Sequence, residues 1–121
     1  MTRIQIALKD GGLAAKLRAV LLSTCSKRVE CVDEPDVSDR GVIVVDASWL
    51  KAAAIPEPER VVAVAGLDPR ERAWAWDRGV RTVVGGEEPF GTLVLAVMAA
   101  DLRVRHYFER FGKHRAQIAA H

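Results

Sequence analysis

The sequence predicts an α/β protein with a doubly wound sheet of five parallel strands and helices on both faces. Short runs rich in β-branched residues recur along the chain, and segments with helical periodicity fill most of the gaps between them. Three of these runs are nearly continuous in apolar residues, which is typical of parallel strands covered on both faces. Strands and helices that alternate through short loops form layers with right-handed crossovers.

The length of the chain allows one domain. The 121 residues are 50% hydrophobic and 28% charged, a composition that excludes disordered and collagen-like chains and disulfide scaffolds. An average strand, helix and two connections consume roughly 24 residues, so five such units need about 120. The count fits only if two of the crossovers are short.

The apolar runs predict the strands, and the segments between them predict the crossovers. The predicted strands of the whole sheet are Arg3–Leu8, Arg28–Val32, Gly41–Asp46, Arg60–Gly66 and Arg81–Val84. The first crossover is a helix, because one apolar stripe at helical spacing is formed by Leu13, Leu17, Val20 and Leu21. The second crossover, residues 33–40, leaves space for about one helical turn, and the third, residues 47–54, for about two.

The last two helices have clear start signals. Asp68 is a capping carboxylate and Pro69 stands at the first helical position, while Gly79 is expected to end that helix. The final helix is predicted to begin at Pro89, and its pattern continues to Gly112. We therefore expect a domain over residues 1–104 and a basic helical extension or connector over residues 105–121.

The charge of the chain is unevenly distributed. The net charge is +2, yet residues 101–121 alone carry an excess of three positive charges, which leaves the body nearly neutral. This excess is too small to indicate nucleic-acid binding. We favour a solvated extension, a connector to an output domain or a helix that pairs with a second subunit for this segment, and contact with nucleic acid or a membrane surface is the least favoured interpretation.

Neither a membrane span nor a secretion signal is expected. The longest mostly apolar stretch, Phe90–Ala100, is about half of the roughly 20 residues that a span requires. Lys9 and Asp10 interrupt the N-terminal segment before an apolar signal sequence forms. We therefore expect a cytoplasmic location. The reducing conditions there would leave Cys25 and Cys31 unpaired. Because their spacing matches no zinc pattern, we expect them to be packed thiols.

The strand assignments select the candidate functional residues. An open parallel sheet binds ligands beyond the carboxyl ends of its strands, near the point where the strand order reverses. Asp46 is the most informative residue there, because it ends an apolar strand and faces the expected crevice, as a nucleophilic or metal-binding acid would. The alternative interpretation is that Asp46 only caps the helix that starts at Ala47.

This arrangement resembles the receiver domain of bacterial two-component response regulators over about residues 3–104. Asp46 matches the phosphoacceptor aspartate in Gly41-Val-Ile-Val-Val-Asp46, and Pro89-Phe90 matches the proline and aromatic residue of the family's last loop. The resemblance implies a flavodoxin-like sheet with strand order 2-1-3-4-5. It also implies a non-enzymatic signalling module of a phosphorelay.

Several positions depart from the receiver pattern. Lys9 and Asp10 stand where the family has two adjacent acids, Ala65-Gly66 where it has Ser or Thr, and Glu88 where it has lysine. Magnesium needs several oxygen ligands, and phosphoryl transfer needs its charge neutralised. We therefore predict a pseudo-receiver in which Asp46 is not phosphorylated and Lys9 pairs with Asp46 in place of a metal.

No catalytic residue, metal or cofactor is expected. The loops Lys9-Asp10-Gly11-Gly12 and Gly85-Gly86 match neither the dinucleotide nor the P-loop pattern, and the three histidines lack metal-ligand spacing. The alternative from a different class is a small flavodoxin-like nucleotide- or metabolite-binding domain or enzyme that uses these glycine loops.

The expected partners are proteins. Trp74 and Trp76 lie two positions apart on one helix and point to different sides, so one is expected to enter the core and the other to stay exposed. An exposed tryptophan is typical of interfaces. The resemblance implies a homodimer, a protein partner or a fused output domain in transcription regulation, with Trp74, Trp76 and Phe108 at the contact. Membrane contact and direct nucleic-acid binding are not expected.

Overall fold

The computed structural model describes residues 3–24, 28–53, 55 and 57–107. Its sheet consists of β1 (Arg3–Ala7), β2 (Arg28–Cys31), β3 (Ile43–Asp46), β4 (Val61–Ala65) and β5 (Thr82–Gly85). The strand order is β2-β1-β3-β4-β5, and every neighbouring pair is parallel. The predicted fold class and strand order are confirmed.

In the part of the chain that the structure describes, three α-helices and two short 3₁₀ helices cover the sheet. They are α1 (Gly11–Thr24), α2 (Pro69–Asp77), α3 (Phe90–Tyr107) and the 3₁₀ helices Ala47–Lys51 and Pro58–Arg60. The predicted end signals of α2 are confirmed: Asp68 accepts a hydrogen bond from the backbone N–H of Arg70 at 2.9 Å, and Gly79 adopts a φ of +83°. Within the described ranges, no helix has both the length and the apolar character that crossing a membrane requires.

Two apolar clusters cover the two faces of the sheet. In β3, Val44 points into the cluster under α1 and α3, whereas Ile43 and Val45 point into the cluster under α2 and the Ala47–Lys51 helix. This alternation follows from the two-residue period of a strand. Both faces of the sheet are therefore covered.

The second crossover forms a single hydrogen-bonded turn, in which the Asp39 N–H donates to the Asp36 carbonyl at 3.2 Å, and this turn does not extend into a helix. Asp36 accepts hydrogen bonds from both the backbone N–H of Ser38, at 3.0 Å, and the Ser38 hydroxyl. Such a local turn competes with helix formation. These bonds also lower the pKa of Asp36 below its usual value, because they stabilise the carboxylate.

Two buried polar side chains fix this crossover against the sheet. Gln5 of β1 is fully buried; its amide nitrogen donates to the Asp36 carbonyl at 2.9 Å, and its amide oxygen accepts the Asp36 N–H at 2.7 Å. Arg60 is only 2% exposed and donates to the carbonyls of Val37, Asp39 and Gly41. The side chains therefore supply the hydrogen bonds that a helix would have made internally.

Gly41 lies where the crossover passes β1. A Cβ atom at this position would stand 1.9 Å from the carbonyl oxygen of Arg3, far inside van der Waals contact. Only glycine permits this close approach.

Candidate functional site

A crevice of about 520 Å³ opens at the carboxyl ends of β1 and β3. This is the point at which the strand order reverses, where open parallel sheets bind ligands. The polar and aromatic side chains that line it are Lys9, Asp33, Glu34, Asp46, Ser48 and Trp49. They come from β3, the loops after β1 and β2, and the Ala47–Lys51 helix.

Asp46 forms a hydrogen bond across this crevice. Its Oδ2 accepts the backbone N–H of Lys9 at 2.8 Å. Its side chain makes no capping hydrogen bond to the helix that starts at Ala47, so the capping interpretation does not describe its contacts. The carboxylate that ends β3 is therefore bound to the segment that follows β1.

Lys9 contacts Asp46 through its backbone and not through its ammonium group. In the described part of the chain, no ion pair joins the Lys9 ammonium to Asp46, and the lysine side chain is exposed. An ammonium at an open crevice keeps its hydration, which offsets the gain from pairing. The predicted substitution of a metal charge by the lysine charge is thus replaced by a backbone N–H dipole.

Asp10 has a local structural role. It is exposed, and its Oδ1 accepts the backbone N–H of Leu13 at 3.0 Å, which caps the first turn of α1. The carboxylate also places negative charge at the helix terminus that a phosphate would otherwise use. The Asp10 carboxylate therefore offsets the positive end of α1 beside the Gly11-Gly12 loop.

Ala65 and Gly66, at the end of β4, carry no hydroxyl group and are not among the residues that line the crevice. Ala65 is buried, and the N–H of Gly66 donates to the carboxylate of Glu71 in the first turn of α2. A Cβ atom on Gly66 would lie 2.7 Å from Glu71 Oε2. Nothing in the sequence pattern indicates this bond between Glu71 and Gly66.

Glu88 closes the turn after β5. Its carboxylate accepts the N–H of Gly85, and its own N–H donates to the Gly85 carbonyl at 3.0 Å. Pro89 follows this turn directly and precedes α3, and the N–H of Gly86 donates to the Ala65 carbonyl at 2.7 Å. Both glycine N–H groups are engaged, so this loop cannot present them to a phosphate.

The donor set does not fit the magnesium ion that the receiver resemblance implies. Asp46, Asp10, Glu71 and Glu88 each accept a backbone N–H in a different loop. Over residues 3–24, 28–53, 55 and 57–107, no three His, Cys, Asp or Glu side chains form a group that could hold a metal ion. A hard divalent cation needs several oxygen ligands at one point.

Trp49 and Glu34 form one wall of the crevice. The indole Nε1–H of Trp49 donates to Glu34 Oε2 at 3.4 Å. The sequence pattern did not single out Glu34. The pairing depends on the non-helical path after β2, which the sequence pattern did not predict.

The tryptophans of α2 do not enter the core. The buried residue of α2 is Ala75; Trp74 is half-buried, with the Lys51 ammonium 5.2 Å from its ring centroid, and Trp76 is 62% exposed. Because helical neighbours are rotated by about 100°, a central Ala75 places both tryptophans at the sides. The expectation that one tryptophan is a core residue was wrong.

The predictions for Cys31, Cys25 and Phe108 have different outcomes. Cys31, at the end of β2, is exposed rather than packed. Cys25 and Phe108 lie outside the described residues, as does most of the predicted extension over 105–121. The division into residues 1–104 and 105–121 therefore stays a prediction.

The sheet order, the covered faces and the crevice at the switch point define a receiver-like fold. Solved structures agree with this class. The crystal structure of FixJ-N has a TM-score of 0.57 at 14% identity, covering 84% of this chain and 94% of that chain.

Two pilus-assembly proteins have similar structures. A pilus assembly-related protein from Burkholderia pseudomallei K96243 has a TM-score of 0.54 at 17% identity, with 84% of this chain and 90% of that chain covered. The pilus assembly protein CpaE from Burkholderia thailandensis E264 has a TM-score of 0.53 at 16% identity, with 83% and 98% covered. No family model and no curated protein matches the sequence. At these identities the likeness concerns the fold.

Proposed function

We propose that this chain is a receiver-like regulatory module that works without aspartyl phosphorylation and controls a protein partner or output domain through protein contacts. The observation that carries the proposal is the hydrogen bond from the Lys9 N–H to Asp46. It places a backbone donor and a lysine at the crevice where a phosphorylatable receiver holds its metal-binding acids.

The surroundings of Asp46 support this proposal. Phosphoryl transfer to a carboxylate needs positive charge and donors arranged around the transferred group. After the carboxyl ends of β4 and β5, this chain instead has Ala65, Gly66 and the carboxylate of Glu88. Glu88 would repel a phosphoryl group where the family's lysine attracts one.

The contact surface that we propose is formed by α2, β5 and α3. Trp76 on α2 is 62% exposed, and Leu95 and Leu102 on α3 are 67% and 63% exposed. Arg103 of α3 donates to the Thr82 hydroxyl of β5 at 2.9 Å, which fixes the helix beside the edge strand. Exposed large apolar side chains on neighbouring elements are typical of interaction sites. Dimerisation or binding of a transcription-regulating output domain would use this surface.

A titration with magnesium ions, followed by the backbone amide signals in NMR spectra, tests the proposal. We expect the Lys9 amide, which is bound to Asp46, to show no saturable shift, because the donor set lacks clustered oxygen ligands. A Lys9→Asp variant, which adds a second acid beside Asp46, is the matched control and should show stronger magnesium dependence. A saturable shift of the wild-type Lys9 amide that Asp46→Asn abolishes would overturn the proposal.

A further inference from the structure

We propose that the crevice binds a small organic cation that carries a guanidinium group. The inference rests on the proposed function, because it requires Asp46 to remain an unphosphorylated carboxylate with no metal beside it. The crevice volume of about 520 Å³ lies within the range of small-molecule pockets, roughly 300 to 1,000 Å³. Its position at the reversal of strand order is where open α/β sheets take ligands.

The charge of the lining favours a cation. The lining residues carry three carboxylates, on Asp33, Glu34 and Asp46, and one ammonium, on Lys9. An anionic ligand such as a phosphate would meet a predominantly negative wall, whereas a monovalent organic cation would meet an attractive one. A single organic charge also needs no close cluster of oxygen ligands, unlike a divalent metal ion.

Trp49 gives the crevice an aromatic lining residue. An indole ring attracts a cation over its face, and a guanidinium prefers such a ring because it is planar and weakly hydrated. The hydrogen bond from Trp49 Nε1 fixes Glu34 Oε2 at the edge of this ring. A guanidinium that lies on the indole therefore finds a carboxylate at its rim, and carboxylates accept guanidinium hydrogen bonds in pairs.

The wall that carries Asp33 and Glu34 is held in place from the opposite side of the crossover. Gln5 makes two hydrogen bonds to the Asp36 backbone, and Arg60 binds the carbonyls of Val37, Asp39 and Gly41. Two buried side chains thus order a segment that has no helix of its own. A preordered wall reduces the entropy that ligand binding would otherwise cost.

The test uses the full chain labelled with ¹⁵N, titrated with arginine amide and, separately, citrulline amide at constant ionic strength. These ligands share the α-ammonium and differ in a guanidinium against a neutral urea. The three tryptophan indole N–H signals report on three places: Trp49 in the crevice, Trp74 and Trp76 on α2. We expect a saturable shift of the Trp49 signal with arginine amide and at least about tenfold weaker binding of citrulline amide.

Variants separate this site from general charge attraction. Glu34→Gln removes one carboxylate and keeps the shape, so it should weaken arginine amide binding about tenfold. Trp76→Leu, on the exposed side of α2, is the matched control and should leave binding unchanged. Equal binding of the two ligands, equal shifts of all three indoles, or no shift would each overturn the inference.

Failure of this inference is distinguishable from failure of the proposed function. Stoichiometric phosphorylation of Asp46 would overturn the proposed function, whereas absence of guanidinium binding would overturn only the ligand assignment.

Discussion

The backbone N–H of Lys9 donates to Oδ2 of Asp46 at 2.8 Å. This bond joins the segment after β1 to the end of β3 across the point where the strand order reverses. Because the donor is a backbone group, its position is set by the path of the chain and does not depend on the lysine side chain. Asp46 therefore has a structural partner at the position where a phosphoacceptor would face a metal.

Substitutions of Asp46 should separate the acceptor from the charge. Asp46→Ala removes the acceptor and should lower the free energy of unfolding by about 1 kcal/mol, the usual net value of one hydrogen bond. Asp46→Asn keeps a carbonyl oxygen for the Lys9 N–H and should cost less. Urea denaturation measures both values, and an equal loss in the two variants would contradict the assigned bond.

Arg60 should be among the most sensitive residues of the chain. It is 2% exposed and supplies donors to three carbonyls of the second crossover. Arg60→Met leaves these carbonyls without their donor and should lower the free energy of unfolding by about 3 kcal/mol. The exposed Arg81 is the matched control, and Arg81→Met should stay within about 0.5 kcal/mol of the wild type.

Hydrogen exchange locates the effect of the Arg60 substitution. The amides of residues 33–41 should lose protection in Arg60→Met well before the amides of β3 do, because the crossover alone loses its anchor. Uniform loss of protection across the sheet would show that Arg60 acts on global stability and not on the crossover.

Two glycines should respond to alanine with opposite signs. A Cβ atom at Gly41 would lie 1.9 Å from the Arg3 carbonyl oxygen, so Gly41→Ala should cost about 2 kcal/mol or prevent folding. At Gly91 in α3 a Cβ atom meets nothing within 4 Å, so Gly91→Ala should stabilise the chain by about 0.5 kcal/mol through helix propensity. Thermal unfolding compares the two, and a stabilising Gly41→Ala would contradict the close approach.

Trp76 should contribute to self-association if the α2, β5 and α3 surface is a dimer contact. We expect the sedimentation coefficient of the wild type to rise with concentration and that of Trp76→Ala to stay near the monomer value, because a buried interface tryptophan contributes strongly. Leu22→Ala, at a 44% exposed position on α1, is the control and should behave as the wild type. Identical profiles for wild type and Trp76→Ala would remove this surface from the account.

Much of the fold could be predicted because its signals are local. The apolar runs of β3, β4 and β5 and the Asp68 and Gly79 signals of α2 depend on adjacent residues only. The second crossover could not be predicted in this way, because its path depends on hydrogen bonds to Gln5 and Arg60, which lie 31 positions from Asp36 and 23 from Val37 respectively.

The candidate site also combines a feature that local sequence predicts with contacts that it does not predict. The sequence placed Asp46 at the end of a buried strand, but its partner is a backbone N–H, and a backbone donor has no signature in residue identity. The predicted contact between the Lys9 ammonium and Asp46 was therefore wrong, because the backbone N–H of Lys9 is the donor. Glu34 was overlooked because its position beside Trp49 depends on the non-helical crossover.

The intact mass of the full chain after incubation with magnesium and a small phosphodonor tests the central claim most directly. A phosphorylatable receiver domain treated in parallel shows that the donor is active, and Asp46→Asn identifies the site of any addition. We expect the mass of the wild-type chain to stay unchanged. Stoichiometric addition of one phosphoryl group that is absent from Asp46→Asn would contradict it.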